Sequence, residues 1–301
     1  IGVKDEQSPY CVGALARGYS LDLSQKIFDS MEAFAKYAFN RSHSFSYAVI
    51  GYKTAWLSYH YPLEFAVANC TINDDTEKVV ATLSQARKRK IPVLPPDINH
   101  SENGFIVDGG AIRYGLKAIK GVGAGAVQTI VDNRKDGKYK SIFDLAKRID
   151  LRAANKKAFE NLALAGGFDG FSETHRAQYF HHDGDGITFL EKAIRYGSKF
   201  QENENSSQVS LFGDASEVQI AEPIVPPCED WSTMEKLAKE KEVVGIYISG
   251  HPLDDFKFEM KYFCNSKLES LKNLESHIGK NLNFGGIVSN VQRRTAKNGK
   301  E

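Results

Sequence analysis

Apolar residues recur at helical spacing through most of this chain. Ile27, Met31, Phe34 and Ala35 form one such set, and Ala48, Tyr52, Ala55 and Trp56 another. Pro62 suits a first helical turn, with Leu63, Phe65, Ala66 and Ala68 after it, so residues 22–70 read as helices. A further helix is expected over 73–90, opened by Asn73 or Asp74 as cap and closed by Arg87-Lys-Arg-Lys90. The periodicity then breaks. The prolines of Ile91-Pro-Val-Leu-Pro-Pro-Asp-Ile98 force an extended path. Short strands at Gly104–Val107 and Ala111–Tyr114 flank an Asp108-Gly-Gly turn. Helical patterning returns at 116–134, at 141–148, and from near Arg152 to Gly166-Gly167 through Lys156, Phe159, Leu162 and Ala163. Residues 173–200 are helical but polar. Residues 201–229, with Gln-Glu-Asn-Glu-Asn-Ser-Ser and prolines 223, 226 and 227, read as an exposed, mobile connector. A helix from about Thr233 to Ser249 and an alternating strand at Asn283–Arg294 complete a mainly α chain with small β elements.

One stretch carries chemistry. Leu116 and Ile119 sit at helical spacing, Gly121-Val122-Gly123 follows, and a second run places Ala126, Val127, Ile130 and Val131 on one face. The pattern predicts helix, tight hairpin, helix. Its glycines let the backbone turn and leave no side chain between it and a ligand. The second helix would then begin with free N–H groups at its positive dipole end, which favours phosphate. Lys117, Lys120, Arg134, Lys135, Lys138 and Lys140 surround it. An ordinary αα-hairpin would also place Gly-Val-Gly between helices. The full order, apolar-x-x-apolar-x-Gly-apolar-Gly-x-x-Ala with lysines alongside, favours a grip on a nucleic-acid backbone without base reading. It resembles the helix-hairpin-helix motif of replication and repair proteins. The segment at 141–167 reads as a degenerate repeat of it.

The length of 301 residues suits about two domains or several modules, and 42% apolar content suits a folded chain. The net charge of +1 hides an asymmetry. Residues 111–160 carry 12 Lys/Arg against 5 Asp/Glu; residues 201–260 carry 4 against 13. A DNA-facing surface therefore belongs in the middle of the chain. Cys11, Cys70, Cys228 and Cys264 are scattered without a Cys-x-x-Cys, which argues against a zinc site and a disulfide framework and fits a cytoplasmic setting. No apolar run of about 18 residues spans a membrane. The chain starts at Ile1 without a signal-peptide pattern and stops in a turn-like Thr295–Glu301, so it reads as a piece of a longer protein.

Within the polar connector lies Gln208-Val209-Ser210-Leu211-Phe212. Leu211 and Phe212 could fill an apolar pocket with Gln208 at its edge, or merely dock on their own domain. Displayed on a flexible tether, the peptide resembles the one by which bacterial polymerases hold the sliding clamp. It occurs with Phe39-Asn-Arg-Ser-His43, Tyr52-Lys-Thr-Ala-Trp56, His60-Tyr-Pro-Leu-Glu-Phe65, Pro95-Pro-Asp-Ile-Asn99, Gly115–Ile130, Asn161-Leu-Ala-Leu-Ala-Gly-Gly-Phe-Asp169 and Ile248-Ser-Gly-His-Pro-Leu-Asp254. In that order these segments resemble the C-terminal part of family C, the bacterial replicative DNA polymerases, over about residues 20–301.

The resemblance implies an organisation. Residues 1–72 correspond to the end of the fingers and 73–200 to a tandem helix-hairpin-helix domain. Residues 201–230 correspond to a linker with the clamp peptide, 231–280 to a helical connector, and 281–301 to the first strand of a truncated OB-fold. DNA contacts are expected from Lys117, Lys120, Gly121, Val122, Gly123, Ala124, Gly125, Arg134 and Lys138, with a monovalent cation bridging the Gly121–Gly123 hairpin to phosphate. Asn40, Arg41, Ser42 and His43 combine amide, cation, hydroxyl and imidazole at a helix junction, and could meet a deoxynucleoside triphosphate; His43 could instead cap or fill a core. Tyr52, Trp56, Tyr59 and Tyr61 read as core rather than as stacking platforms. The family's polymerisation uses Mg²⁺ held by palm aspartates upstream of this segment. Asp74-Asp75 and Asp254-Asp255 are adjacent pairs that do not converge on two metals and read as capping or solvated acids. The fragment alone is expected to be inactive, with duplex DNA, the sliding clamp and other replisome subunits as partners. The alternatives are a stand-alone helix-hairpin-helix repair or clamp-interacting protein, or an error-prone paralogue.

Overall fold

In a computed structural model, the described residues are 13–37, 40–73, 75–184, 186–205, 221–272, 274–288 and 291. The chain divides into two compact units, residues 1–61 and 62–301.

The first unit holds two helices, α1 (Leu21–Tyr37) and α2 (Arg41–His60). Asn40 starts α2: its side-chain oxygen accepts from the backbone N–H groups of Ser42 at 3.0 Å and His43 at 3.3 Å. Tyr52, Trp56, Tyr59 and Tyr61 are exposed, Tyr52 by 72% and Tyr59 by 80%, contrary to the core reading. The apolar residues of α2 are spread around its circumference. Phe45, Ile50 and Leu57 are exposed as well, so one neighbour could not cover them all.

The second unit opens with α3 (Pro62–Ile72) against α4 (Thr76–Lys88). The sequence placed α3 with the fingers segment; it packs on α4 and the small sheet. The cap of α4 is Asp75, which accepts from the Glu77 N–H at 2.9 Å, one residue beyond the expected pair. Three strands follow: β1 (Val93–Leu94), β2 (Ile106–Asp108) and β3 (Ala111–Arg113). β2 and β3 form the expected antiparallel hairpin, with Asp108 opposite Ala111. The proline-rich segment supplies β1, which runs parallel to β3 in the order β1-β3-β2.

The helical core comprises α5 (Ala124–Asn133), α6 (Ile142–Arg148), α7 (Lys156–Ala165), α8 (Arg176–Tyr179), α9 (Phe189–Asn205) and α10 (Thr233–Val244). Leu83, Ile98, Ile112, Leu116, Ile130, Phe159, Phe168 and Tyr179 are buried within it. α6 lies hard against α9. A Cβ at Gly197 would come within 2.4 Å of the Ala146 carbonyl, so only glycine permits this crossing. One turn on, the Gln201 amide donates to the carbonyls of Ala146, Lys147 and Ile149 at the end of α6. Gln201 is thus locked into α9 rather than opening a loose connector.

The far end of that connector is also anchored. Gln178 donates to the Pro226 carbonyl at 3.0 Å, and Lys147 pairs with Glu222 at 3.2 Å. Residues 206–220, and with them Gln208–Phe212, lie outside the described residues.

α10 ends at Gly245, short of the expected Ser249, because its own Glu240 captures the chain beyond. Fully buried, Glu240 accepts from the Ser249 N–H at 3.0 Å and the Ile248 N–H, and pairs with Arg176 at 3.2 Å. Arg176 also pairs with Asp169 at 2.6 Å. Burial disfavours its charge, but Asp169 and Glu240 outweigh that and hold its pKa above the ordinary value. A short helix, α11 (Lys257–Tyr262), follows. The described part of the expected terminal strand, residues 283–288, carries no strand; most of 289–301 is outside the described residues.

Candidate nucleic-acid interface

The hairpin forms where the glycines predict it, on a shorter first arm. Leu116–Ala118 is a single 3-10 turn, not a helix. Gly115 before it and Ile119 after it are both extended, which limits the arm to one turn. Leu116 and Ile119 are buried as the spacing implied. The Ile119 carbonyl accepts the Val122 N–H at 3.1 Å, closing the turn. Gly121 sits at φ +76°, and a Cβ there would stand 2.6 Å from the Asn161 amide nitrogen. Val122 points into the core, whereas Gly121, Gly123, Ala124 and Gly125 are exposed.

Gly123 is the N-cap of α5 and offers no side-chain cap. The first N–H groups of that helix therefore face outward without a protein acceptor from the cap residue, the arrangement that receives an anion. A Cβ at Gly123 would meet nothing within 4 Å. Beside the turn is a recess of about 280 Å³, lined in part by Asn103, Lys117, Lys120 and Gly121.

The expected cations separate into two groups. Lys117 and Lys120 flank the turn, exposed and outside any ion pair among the described residues. Arg134 is not part of that surface. Its guanidinium turns inward, donating to the carbonyls of Ile98 and Ser101 at 2.8 Å each and pairing with Glu102 at 2.6 Å. Lys138 contacts His100 Nε2 at 2.9 Å, and His100 Nδ1 contacts Asp97 at 3.0 Å. Lys135 pairs with Asp132.

α6, a loop at 149–155 and α7 make a second helix-loop-helix, with Asn155 capping α7 in place of a glycine turn. Its loop approaches the first hairpin: a Cβ at Gly125 would stand 3.7 Å from the Ala153 Cβ. Asn161, on α7, donates to the Lys120 carbonyl, a link the sequence pattern did not single out.

In the first unit, Asn40 and Ser42 serve the α2 cap, the Ser42 hydroxyl donating to the Asn40 side chain. The His43 ring packs on Tyr47 with centroids 4.5 Å apart, and Arg41 is exposed. Asp75 and Asp254 both cap backbone N–H groups, Asp254 accepting from His251 at 2.7 Å. Among the described residues no three His, Cys, Asp or Glu side chains gather as a metal site.

The helix-hairpin-helix motif family matches residues 90–179, which contain both hairpins. Over 256 residues, 84% of this chain, it is 40% identical to the DNA polymerase III subunit alpha of Deinococcus radiodurans. The same subunit of Vibrio cholerae is 38% identical over 95% of the chain, and that of Escherichia coli 35% identical over 98%. The chain is homologous to a segment of the DNA polymerase III alpha subunits. It spans 18% of the length of the Deinococcus relative, 24% of the Vibrio and 25% of the Escherichia one. Among the described residues no helix is long and apolar enough to cross a membrane.

Proposed function

We propose that this chain is part of a cytoplasmic DNA-directed DNA polymerase of chromosome replication, and that its helix-hairpin-helix region holds duplex DNA by the phosphate backbone. The hairpin carries this reading. Gly121 and Gly123 present bare backbone, the N-terminus of α5 is open, and Lys117 and Lys120 stand beside it. None of these groups reads a base edge, so the grip is independent of sequence. A monovalent cation between hairpin and phosphate would draw on the Gly121 and Val122 carbonyls. Those of Ile119 and Lys120 already accept protein donors.

In the same reading, Gln208–Phe212 tethers the protein to the sliding clamp alongside other replisome subunits. Arg41, with Asn40, Ser42 and His43 around it, contributes to binding of the deoxynucleoside triphosphate. Mg²⁺-dependent phosphodiester formation belongs to parts of the polymerase outside this chain.

The deciding experiment is duplex binding by this chain over a range of salt. Lys120→Ala should lower the slope of log K against log salt by about one unit, and Gly123→Asp should weaken binding alike across unrelated sequences. A loss that depends on sequence, or no loss in either variant, would reject the backbone grip.

A further inference from the structure

We infer that Asn161 is a positioning residue of the DNA grip, acting through the peptide of Lys120; this rests on the backbone-grip reading above. Asn161 lies 41 residues from that peptide, on α7, and only 3% of it is exposed. Its Nδ2 donates to the Lys120 carbonyl, at the point where the chain enters the turn. The N–H of the same residue donates to the Val243 carbonyl at 2.9 Å, at the end of α10. Both polar backbone groups of Lys120 are therefore spent on distant elements. Its side chain is left at the surface with its backbone fixed.

This arrangement settles the orientation of the turn. The peptide plane of Lys120–Gly121 cannot rotate without giving up the Asn161 bond, and the chain turns at once beyond it, Gly121 standing at φ +76°. Gly121 is also the one residue type that leaves room, because a Cβ there would meet the very amide nitrogen that makes the bond. The exposed N–H groups of Gly123 and α5 come directly after. An anion site made of backbone N–H groups works only when those groups are aimed beforehand, since a loose turn must be ordered at the moment of binding. Asn161 supplies that order from the second helix-loop-helix, so the two halves of the tandem domain share one phosphate-facing turn. Asn161 touches no DNA itself in this scheme.

The test uses the whole 301-residue chain and a fluorescent duplex, with Asn161→Leu and Asn161→Asp beside Lys120→Ala. Asn161→Leu keeps the bulk and removes the donor. Asn161→Asp puts a carboxylate against the Lys120 carbonyl, and only its protonated form can donate there. Affinity should fall about tenfold in Asn161→Leu, with the salt slope unchanged because no charge contact is lost. Asn161→Asp should show at least that loss at pH 8. Burial at this position should raise the carboxyl well above the ordinary aspartate range, so relative to the unaltered chain at each pH binding should recover as the pH falls to 5.5 and the acid gains its proton. Amide exchange at residues 120–124 should accelerate in both variants while the thermal midpoint stays above the assay temperature. Affinity within twofold of the unaltered chain in Asn161→Leu, while Lys120→Ala weakens binding, would overturn the inference. So would a flat relative pH profile for a folded Asn161→Asp with weakened binding, which also decides the matter if the leucine variant does not fold. Unchanged binding in Lys120→Ala and Gly123→Asp would instead reject the grip reading itself.

Discussion

Arg134 pairs with Glu102 at 2.6 Å and in doing so turns away from the surface that its neighbours Lys135 and Lys138 occupy. Two further bonds, to the carbonyls of Ile98 and Ser101, satisfy backbone acceptors in the segment between β1 and β2. A guanidinium supplies the three donors this needs; a lysine ammonium cannot match that fork. Its position in a basic run suggested DNA contact, but its bonds are those of a staple between α5 and the proline-rich segment.

Arg134→Ala should therefore act on stability. Unpairing buried acceptors costs about 1–3 kcal/mol each, so an overall loss of a few kcal/mol is expected in urea unfolding. The salt slope of duplex binding should stay that of the unaltered chain wherever the variant is folded. A slope lower by one unit at unchanged stability would put Arg134 back on the DNA.

Glu240 and Arg176 predict a larger effect. Glu240 is fully buried and joins α10 to the chain at Ile248 and Ser249 and to Arg176 on α8. Glu240→Leu leaves Arg176 with Asp169 and the Leu164 carbonyl and strips two backbone N–H groups of their acceptor. Removing one partner of a buried ion pair costs about 3–5 kcal/mol. Denaturant unfolding should register that loss. Because α10 also holds the Lys120 N–H through Val243, exchange at Lys120 should accelerate in the same variant.

Most of the fold could be read from the chain because its helices carry local signals: apolar spacing, Pro62 in a first turn, Gly166 at a terminus. The Asp108-Gly-Gly turn and the Gly121-Val122-Gly123 hairpin were legible for the same reason. The roles of cations were not. Composition counts Arg134, Lys135 and Lys138 with Lys117 and Lys120, but only the fold shows that the first three face Glu102, Asp132 and His100. Asn161 was equally hidden, since its partner is 41 residues away and a buried asparagine in an apolar helix face has no distinctive pattern. Periodicity also misjudged Tyr52 and Tyr59. It reports that a helix has apolar positions, not whether a neighbour covers them.

Cys70 offers a test of burial chemistry. Buried on α3 where it lines the recess beside the hairpin, its thiol is pushed up to about 12 by burial. The thiolate is the reactive form, so Cys70 should resist iodoacetamide at pH 8 in the folded protein and react in urea, as read by mass spectrometry of its peptide. The sign for stability follows. An unfolded thiol ionises near 8.5, so this group's contribution is intact below that pH and is lost as pH rises from there toward 12. Rapid native alkylation at pH 8 would show that the site opens.

The clamp peptide makes the last prediction, and it can be tested independently of the grip. Gln208–Phe212 has two adjacent apolar anchors within a polar, acidic stretch, and the chain on either side is fastened to the folded unit, by Gln201 before it and Glu222 after it. Gln208–Phe212 itself lies outside the described residues. If it is the tether, Leu211 and Phe212 are the anchors that fill the clamp pocket. Truncating both anchors should cost several kcal/mol, about a hundredfold or more in affinity. Titration calorimetry of a purified bacterial sliding clamp against the unaltered chain and Leu211→Ala/Phe212→Ala measures this. Duplex binding should persist in the double variant with its salt slope intact, because the hairpin is built from α5, α7 and α10 and uses neither residue. Equal clamp affinity in the two proteins would remove the tether role and leave the segment as a linker. Loss of both activities together would mean that the substitution had disturbed the fold.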